Sequence, residues 1–117
     1  MRSRLTSYRS GLFGEFLARW FLRFHGFRIL HNRYITGRNT GRAEIDIIAR
    51  RGNLIVFIEV KRRPNIDSAW DAISPTQSHR LRRAAEGYIA RHGFSGNARF
   101  DVIIVTGLKI HWIQGAI

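Results

Sequence analysis

Large hydrophobic residues near the start of the chain recur every three or four positions, which is the spacing of one helix face. This pattern predicts a helix from about Ser10 to His25, with Ser10 as its N-cap and Gly26 after its last turn. We interpret Trp20 and Phe24 as core residues rather than as platforms on which bases stack. The apolar positions are Phe13, Phe16, Leu17, Trp20, Phe21 and Phe24.

A second helix is predicted from the residues that would begin and end it. Ser74 is the expected N-cap, Pro75 takes the first helical position, and Gln77 completes a capping box. Gly93 is expected to end this helix. Its predicted buried stripe consists of Leu81, Ala84, Ala85, Tyr88 and Ile89.

Shorter runs rich in isoleucine, valine and phenylalanine predict strands. A loop at Thr36–Gly41 and a polar connection around Pro64 and Asn65 separate them from their neighbours. The predicted strands are Phe27–Tyr34, Arg42–Arg50, Leu54–Arg62 and Arg99–Val105, with Lys109–Ile113 as a short edge strand.

The order of these elements predicts an α/β fold in which helices flank a single mixed sheet. The order is helix, three strands, helix, and then one or two strands. A chain of 117 residues has room for one domain. We expect a flexible basic N-terminus over residues 1–9 and a single domain over residues 10–117.

The two central strands form a predicted hairpin with a functional consequence. A two-residue type II′ turn centred on Gly52 and Asn53 places Asp46 directly opposite Glu59. All the polar residues of the hairpin would then share one face, since side chains alternate along a strand. Two opposed carboxylates repel each other, and a divalent cation between them would reverse that repulsion. Oxygen ligands favour Mg²⁺ or Mn²⁺ over zinc.

Two further consequences of this register matter. Glu44 would face Lys61, and the opposite face of the hairpin would be wholly apolar, with Ile45 and Ile47 side by side on it. The alternative interpretation is that the polar face is an exposed surface with an ordinary Glu44–Lys61 salt bridge. A three-residue turn would instead place Asp46 and Glu59 on different faces.

Charge is the strongest global feature of the composition. Twenty basic residues stand against eight acidic ones, for a net charge of +12. Such a field favours polyanions, nucleic acid above all, although an acidic membrane, a protein partner or a general preference for arginine would also fit. The chain has no cysteine, which excludes disulfides and thiolate metal sites. No apolar run approaches the ~20 residues of a membrane span, so we expect a soluble cytoplasmic protein without a membrane partner.

These residues resemble the PD-(D/E)xK nuclease superfamily, which has a restriction-endonuclease-like fold. Asp46 matches the motif aspartate, and Glu59-Val60-Lys61 matches the (D/E)xK element. More closely, the chain resembles the YraN-like family of small uncharacterised bacterial proteins. The segments that carry this resemblance are Gly11–Glu15, Gly26–Leu30, Glu44–Asp46, Val56–Lys61 and Arg99–Val102.

The chain departs from these patterns at three places. Ala43 stands where the family usually has glycine, and the loop from Tyr34 to Arg42 is longer than usual. Ile45 replaces the proline of the superfamily motif. None of these changes removes a proposed ligand.

The resemblance implies roles for individual residues. Asp46, Glu59 and the backbone carbonyl of Val60 would hold Mg²⁺ or Mn²⁺, and Lys61 would orient or activate water. Glu15 would be an additional metal or water ligand, unless it is an ordinary helix acid near an N-terminus. Glu44 would either complete the metal shell or hold Lys61. The candidate nucleic-acid contacts are Arg62, Gln77, Arg80 and Arg83, although a solvated helix face explains the arginines equally well.

Three functional hypotheses follow from these observations. The first is a metal-dependent endonuclease that hydrolyses DNA phosphodiester bonds, extended to branched or structured DNA by analogy with resolvases. Resolvase-like action needs two sites, so this version implies a homodimer. The second is a non-catalytic nucleic-acid-binding module in a repair or recombination assembly, and the third is a protein-interaction scaffold.

Overall fold

The sheet of this protein has five strands and carries helices on both of its faces. The computed structural model describes residues 4–36 and 43–117, with side chains from Tyr8 onward, so most of the predicted loop at Thr36–Gly41 lies outside the described residues. The elements are α1 (Arg4–Phe24), β1 (Arg28–Thr36), β2 (Ala43–Arg51), β3 (Leu54–Arg62), α2 (Ile66–Asp71), α3 (Pro75–His92), β4 (Asn97–Thr106) and β5 (Lys109–Ile113).

The strands lie in their sequence order, β1-β2-β3-β4-β5. Strands β3 and β4 are parallel, and every other neighbouring pair is antiparallel. A parallel pair needs a long crossover, and α2 and α3 provide it. The predicted single mixed sheet flanked by helices is therefore confirmed.

Helix α1 covers one face of the sheet, but it differs from the prediction in two ways. It begins at Arg4, so Ser10 lies inside the helix and is not its N-cap. Its contact with the sheet includes Ala18 and Leu22, which are fully buried, and Phe21, whose ring lies 5.6 Å from that of Trp112 on β5. The core role predicted for Trp20 and Phe24 is wrong, because they are 48% and 84% exposed.

Helix α3 covers the opposite face and has the predicted ends. The Ser74 hydroxyl accepts a hydrogen bond from the Gln77 backbone N–H at 3.1 Å, and Gly93 ends the helix with a φ of 62°. The Gln77 side chain departs from the capping-box prediction, because it points to another partner described below. The short helix α2 was not predicted, although Asn65 caps it by accepting from the Ser68 N–H at 2.8 Å.

The central hairpin has the predicted turn and, over most of its length, the predicted register. Gly52 has a φ of 58°, which suits the first central position of a type II′ turn. Cross-strand pairs run from Arg51–Leu54 to Ile47–Ile58. Both faces of the hairpin are buried, however, because α1 covers Val56 while α3 covers Phe57. The expectation of one apolar and one polar face is therefore wrong.

The alternation of side chains shifts along β2 at Asp46. Ile47 packs under α1, whereas Ile45 packs under α3, so these two residues do not share a face as predicted. The ladder to β3 correspondingly ends at the Ile47–Ile58 pair, and the predicted Asp46–Glu59 and Glu44–Lys61 pairs are not part of it. An irregularity of this kind re-aims a side chain at the point where pairing stops.

A buried acid ties the far edge of the sheet to the C-terminal segment. Asp101 on β4 has no exposed surface. Its carboxylate accepts two hydrogen bonds from the Arg99 guanidinium, at 2.8 and 2.9 Å, and one each from the Trp112 indole and the Gly115 N–H, at 2.8 and 3.0 Å. These four bonds account for an acid that would otherwise destabilise the core.

We expect Asp101→Ala to lower the free energy of unfolding by about 3 kcal/mol, since it leaves a half-buried guanidinium and two further donors without their acceptor. Urea unfolding followed by circular dichroism measures this loss. Asp71→Ala, which removes an exposed acid, is the control and should change the free energy of unfolding by less than about 0.5 kcal/mol. Equal stability of the two variants would contradict a structural role for Asp101.

Candidate active site

The candidate site lies where β2 and β3 cease to pair. The Asp46 side chain turns toward β3, and its Oδ2 accepts a hydrogen bond from the Val60 backbone N–H at 2.8 Å. A carboxylate has thus taken the place of a strand partner. The carbonyl of Val60 is directed to the same side of β3, because the N–H and C=O of a strand residue face the same neighbour. Two of the predicted metal ligands, the Asp46 carboxylate and the Val60 carbonyl, are therefore close to each other.

The carboxyl group of Asp46 binds its proton unusually tightly. Its pKa is raised from an ordinary value of 3.8 to about 8, first by burial and then by the negative charge of Glu59. Glu15 adds to this rise, whereas the Val60 N–H and the Lys61 ammonium oppose it. Asp46 is therefore close enough to both other acids to feel their charge. At neutral pH this group lacks enough positive charge around it to stay ionised.

Glu59 is buried on β3 and already has two partners. It is 3% exposed, and its Oε1 accepts from the Lys61 ammonium at 2.9 Å and from the Gln77 amide at 2.8 Å. The hydrogen bond to Glu59 explains why the Gln77 side chain does not fold back to cap the N-terminus of α3. It also places Gln77 in the site, where it was predicted only as an accessory contact. Lys61 pairs with Glu59 rather than with Glu44 as expected.

Glu15 reaches the site from α1 and is 6% exposed. The Arg33 guanidinium holds it with two hydrogen bonds, Nε to Oε1 at 3.2 Å and Nη2 to Oε2 at 2.9 Å. This contact, followed by the nearby charges of Glu15 and Glu44, raises the pKa of Arg33. A solvated helix acid, the alternative reading of Glu15, does not describe this buried ion pair.

Arg33 is the functional candidate that the sequence did not reveal. It lies on β1 between the residues that pair with Ile47 and Ile45, and hence opposite Asp46. Its φ of 54° is unusual for a residue with a side chain and is maintained only where the surroundings require it. In this conformation its side chain reaches Glu15. Among so many arginines, no local signal marks this one.

The remaining predicted residues lie around this centre. Glu44 is exposed and, together with Gln77 and Arg80, lines a cleft of about 320 Å³. Arg83 is exposed on the same helix as Arg80. The Arg62 guanidinium contacts the Ser10 hydroxyl at 3.3 Å and lies 4.7 Å from the centre of the Phe13 ring.

The donors of the site meet some of the requirements of a divalent cation. Over residues 4–36 and 43–117, no three His, Asp or Glu side chains are grouped as a ready-made metal cluster. Glu15 and Glu59 are instead held by Arg33, Lys61 and Gln77. The chemistry of the donors nevertheless fits Mg²⁺ or Mn²⁺, because all of them are oxygens. A nearby cation would also oppose the burial and the Glu59 charge that raise the pKa of Asp46.

The pattern of these residues matches a known family. The chain belongs to the uncharacterised protein family UPF0102. The family model covers residues 14–105, which include the whole candidate site. The YraN-like resemblance seen in the sequence is thereby confirmed.

Several relatives in this family align with nearly the full chain. A UPF0102 protein of Paramagnetospirillum magneticum, amb4503, is 39% identical over 93% of this chain and 86% of its own length. A UPF0102 protein of Bradyrhizobium diazoefficiens, bll0669, is 40% identical over 88% of this chain and 76% of its own length. A UPF0102 protein of Rhodopseudomonas palustris, RPA0323, is 38% identical over 89% of this chain and 78% of its own length.

In the part of the chain that the structure describes, no helix is long and apolar enough to cross a membrane.

The pKa of Asp46 predicts how stability depends on pH. The folded protein binds the Asp46 proton more tightly than the unfolded chain, whose aspartate pKa is about 3.9. Stability contributed by this group is therefore full below about pH 4 and is lost as the pH rises toward about 8. Asp46→Asn removes this dependence. The free energy of unfolding of the variant should therefore rise relative to that of wild type by on the order of 1 kcal/mol per pH unit across that window.

Urea unfolding of both proteins at pH 5 and pH 9 measures the effect. Asp71→Asn is the control, because it removes an exposed acid and should follow wild type at both values. A stability difference between Asp46→Asn and wild type that is the same at both pH values would contradict the assignment.

Proposed function

We propose that this protein is a magnesium-dependent endonuclease that hydrolyses phosphodiester bonds in DNA. The observation that carries the proposal is the buried carboxyl group of Asp46, which has a pKa of about 8 and lies beside Glu59, with Lys61 on the same strand. Burial of two neighbouring acids destabilises a protein unless a cation compensates for them. A perturbed acid of this kind, next to a lysine, is more typical of a reactive site than of a structural one.

Asp46, Glu59 and the Val60 carbonyl would hold Mg²⁺ or Mn²⁺. When bound, the metal would polarise the scissile phosphate and lower the pKa of a water molecule. Asp46 would release its proton on binding, because ligands bind in their ionised form. The Val60 N–H would continue to orient the Asp46 carboxylate, as it does at 2.8 Å.

Lys61 would supply the positive charge that the phosphate needs as it reacts. Its ammonium group lies 2.9 Å from Oε1 of Glu59 and its side chain is 17% exposed, so it is held next to a proposed ligand and still has access to solvent. A compact ammonium with three donors can contact Glu59 and an attacking water together. Stabilising the charge that develops on phosphate oxygens is its expected contribution to the rate.

Glu15 would serve as an additional ligand of the metal or its water. It would have to exchange at least one of its two bonds to Arg33 for this purpose. Gln77 would keep its amide on Glu59 and leave the second oxygen of that carboxylate available. Glu44 is exposed at the neighbouring cleft. It is therefore better placed to contact groups in solvent than to serve as a buried metal ligand.

The substrate class follows from charge. A net charge of +12 attracts polyanions, and Arg80 and Gln77 line a cleft on the side of the site that α3 covers. Arg83 on the same helix extends the basic surface. DNA rather than RNA, preference for branched DNA and action as a homodimer are parts of the proposal that rest on analogy with the nuclease superfamily.

A second candidate function is binding of nucleic acid without hydrolysis. The observation that favours it is that Glu15 and Glu59 already have charged partners within the protein. Such a site could be a structural ion-pair network on an otherwise basic domain.

Cleavage of DNA in Mg²⁺ or Mn²⁺ separates the two functions. Wild type should cleave at least one member of a panel of linear, flapped and four-way DNA, and Lys61→Ala should slow that cleavage by roughly 100-fold or more. Lys109→Ala is the matched control, because it removes the only other lysine, which is exposed on β5.

Cleavage that is equally fast in wild type and Lys61→Ala would assign the activity to a contaminant or to another site. Salt-sensitive DNA binding without any cleavage would favour the second candidate.

A further inference from the structure

The outer face of α1 carries a row of large hydrophobic side chains that no described residue covers completely. Leu12, Phe16, Trp20 and Phe24 are 38%, 46%, 48% and 84% exposed. We name these four residues the aromatic row. They recur every four positions and so follow one line along the helix.

The aromatic row lies on the side of α1 that faces away from the sheet. The buried row of the helix is Gly14, Ala18 and Leu22, and each of its members is offset by two residues from a member of the aromatic row. Two residues correspond to a rotation of roughly 200° about the helix axis. The outer face of a surface helix is ordinarily polar, and an exposed apolar patch there marks an interaction surface.

The charges beside the aromatic row are all positive. Arg9, Arg19 and Arg23 lie on the same helix, and the Arg23 guanidinium stands 5.2 Å from the centre of the Trp20 ring. Glu15 is the only acid of α1, and it is buried against Arg33. The fitting partner therefore has both negative charge and flat apolar groups.

Phe13 and Arg62 extend the aromatic row toward β3. The Phe13 ring stacks on Phe16, with 6.5 Å between ring centres, and lies 4.7 Å from the guanidinium of Arg62. Arg62 points from β3 to the α1 side of the sheet, whereas Lys61 lies with Glu59 and Gln77 on the α3 side, since side chains alternate along a strand. The row runs for about 18 Å from Leu12 to Phe24.

We propose that the aromatic row binds single-stranded nucleic acid, with bases stacked on the rings and phosphates on the flanking arginines. This inference rests on the proposed function, which makes a nucleic acid the substrate, and adds a path for an unpaired strand. Stacking on aromatic side chains together with basic residues along the backbone is the general mode of single-strand binding. Unpaired segments occur at the flaps and branches that the proposed function names.

Two other partners fit the surface less well. A second copy of the chain would bring two arginine-bordered rows together, and neither row has an exposed acid among the described side chains of α1 to offset the repulsion. An anionic membrane would favour side chains that project into the acyl layer, whereas Phe16 and Trp20 lie half-buried along the helix. Their position offers ring surface to a base instead.

Fluorescence anisotropy of a labelled oligothymidylate, measured in EDTA, tests the inference without any cleavage. Phe16→Ala and Trp20→Ala should each weaken binding roughly tenfold, because each removes one stacking surface. The slope of affinity against salt should stay unchanged, since no phosphate contact is lost. Trp20→Phe keeps a ring and should retain most of the affinity.

Trp70→Ala is the matched control, because it removes a tryptophan of α2 that is 36% exposed. It should bind as wild type does. Unfolding midpoints of the variants close to that of wild type would exclude a loss of fold as the cause. Affinity unchanged in Phe16→Ala and Trp20→Ala would overturn the inference.

Two further outcomes would also overturn it. One is that these substitutions abolish binding to phosphatidylglycerol vesicles but not to the oligonucleotide, which would assign the row to membranes. The other is that they abolish only a dimer seen by sedimentation, which would assign the row to a second copy. The binding assay contains EDTA and does not depend on cleavage. A protein that binds the oligonucleotide through the row in this assay, but cleaves no DNA when Mg²⁺ or Mn²⁺ is supplied, would support this inference while contradicting the nuclease proposal.

Discussion

The burial of acidic side chains in a sheet that is covered on both faces is the constraint on which the rest of the structure depends. Helix α1 and helix α3 shield opposite faces of the central hairpin, so a polar residue there can reach solvent only where the strands part. Asp46 occupies that point. Its pKa of about 8 is the direct consequence of burial next to Glu59.

Each of the other two acids is stabilised by a cationic side chain. Arg33 of β1 holds Glu15 of α1, and Lys61 holds Glu59 within β3. Among the described residues, the hydrogen-bond donor to Asp46 is the backbone N–H of Val60. Asp46 is thus the acid of the site that no cationic side chain holds by a hydrogen bond. The proposed function places a divalent ion at this carboxyl group.

Much of this arrangement could be predicted from short-range signals. The turn at Gly52 sets the hairpin register because its backbone conformation is nearly unique to glycine, and that register brings Asp46 near Glu59. The shift at Asp46 could not be predicted in the same way. It lies opposite Arg33, whose positive φ in the neighbouring strand is specified by no local pattern of residues.

The aromatic residues of α1 show a different limit of prediction. Helical spacing identifies a helix, but Leu12, Phe16, Trp20 and Phe24 satisfy the same spacing as a buried stripe would. Which of two apolar rows faces the sheet is decided by size, because small residues such as Gly14 and Ala18 let the helix approach β3 closely. Hydrophobicity alone therefore predicted a core where the molecule has an exposed surface.

Calorimetric titration with Mn²⁺ at pH 7, repeated in buffers of different ionisation enthalpy, tests the central claim most directly. The account predicts one ion per chain and the release of about one proton on binding, because Asp46 must lose the proton that its high pKa retains. In Asp46→Asn both the tight binding and the proton release should disappear. Absence of binding to wild type, or binding that releases no proton and survives Asp46→Asn, would contradict it.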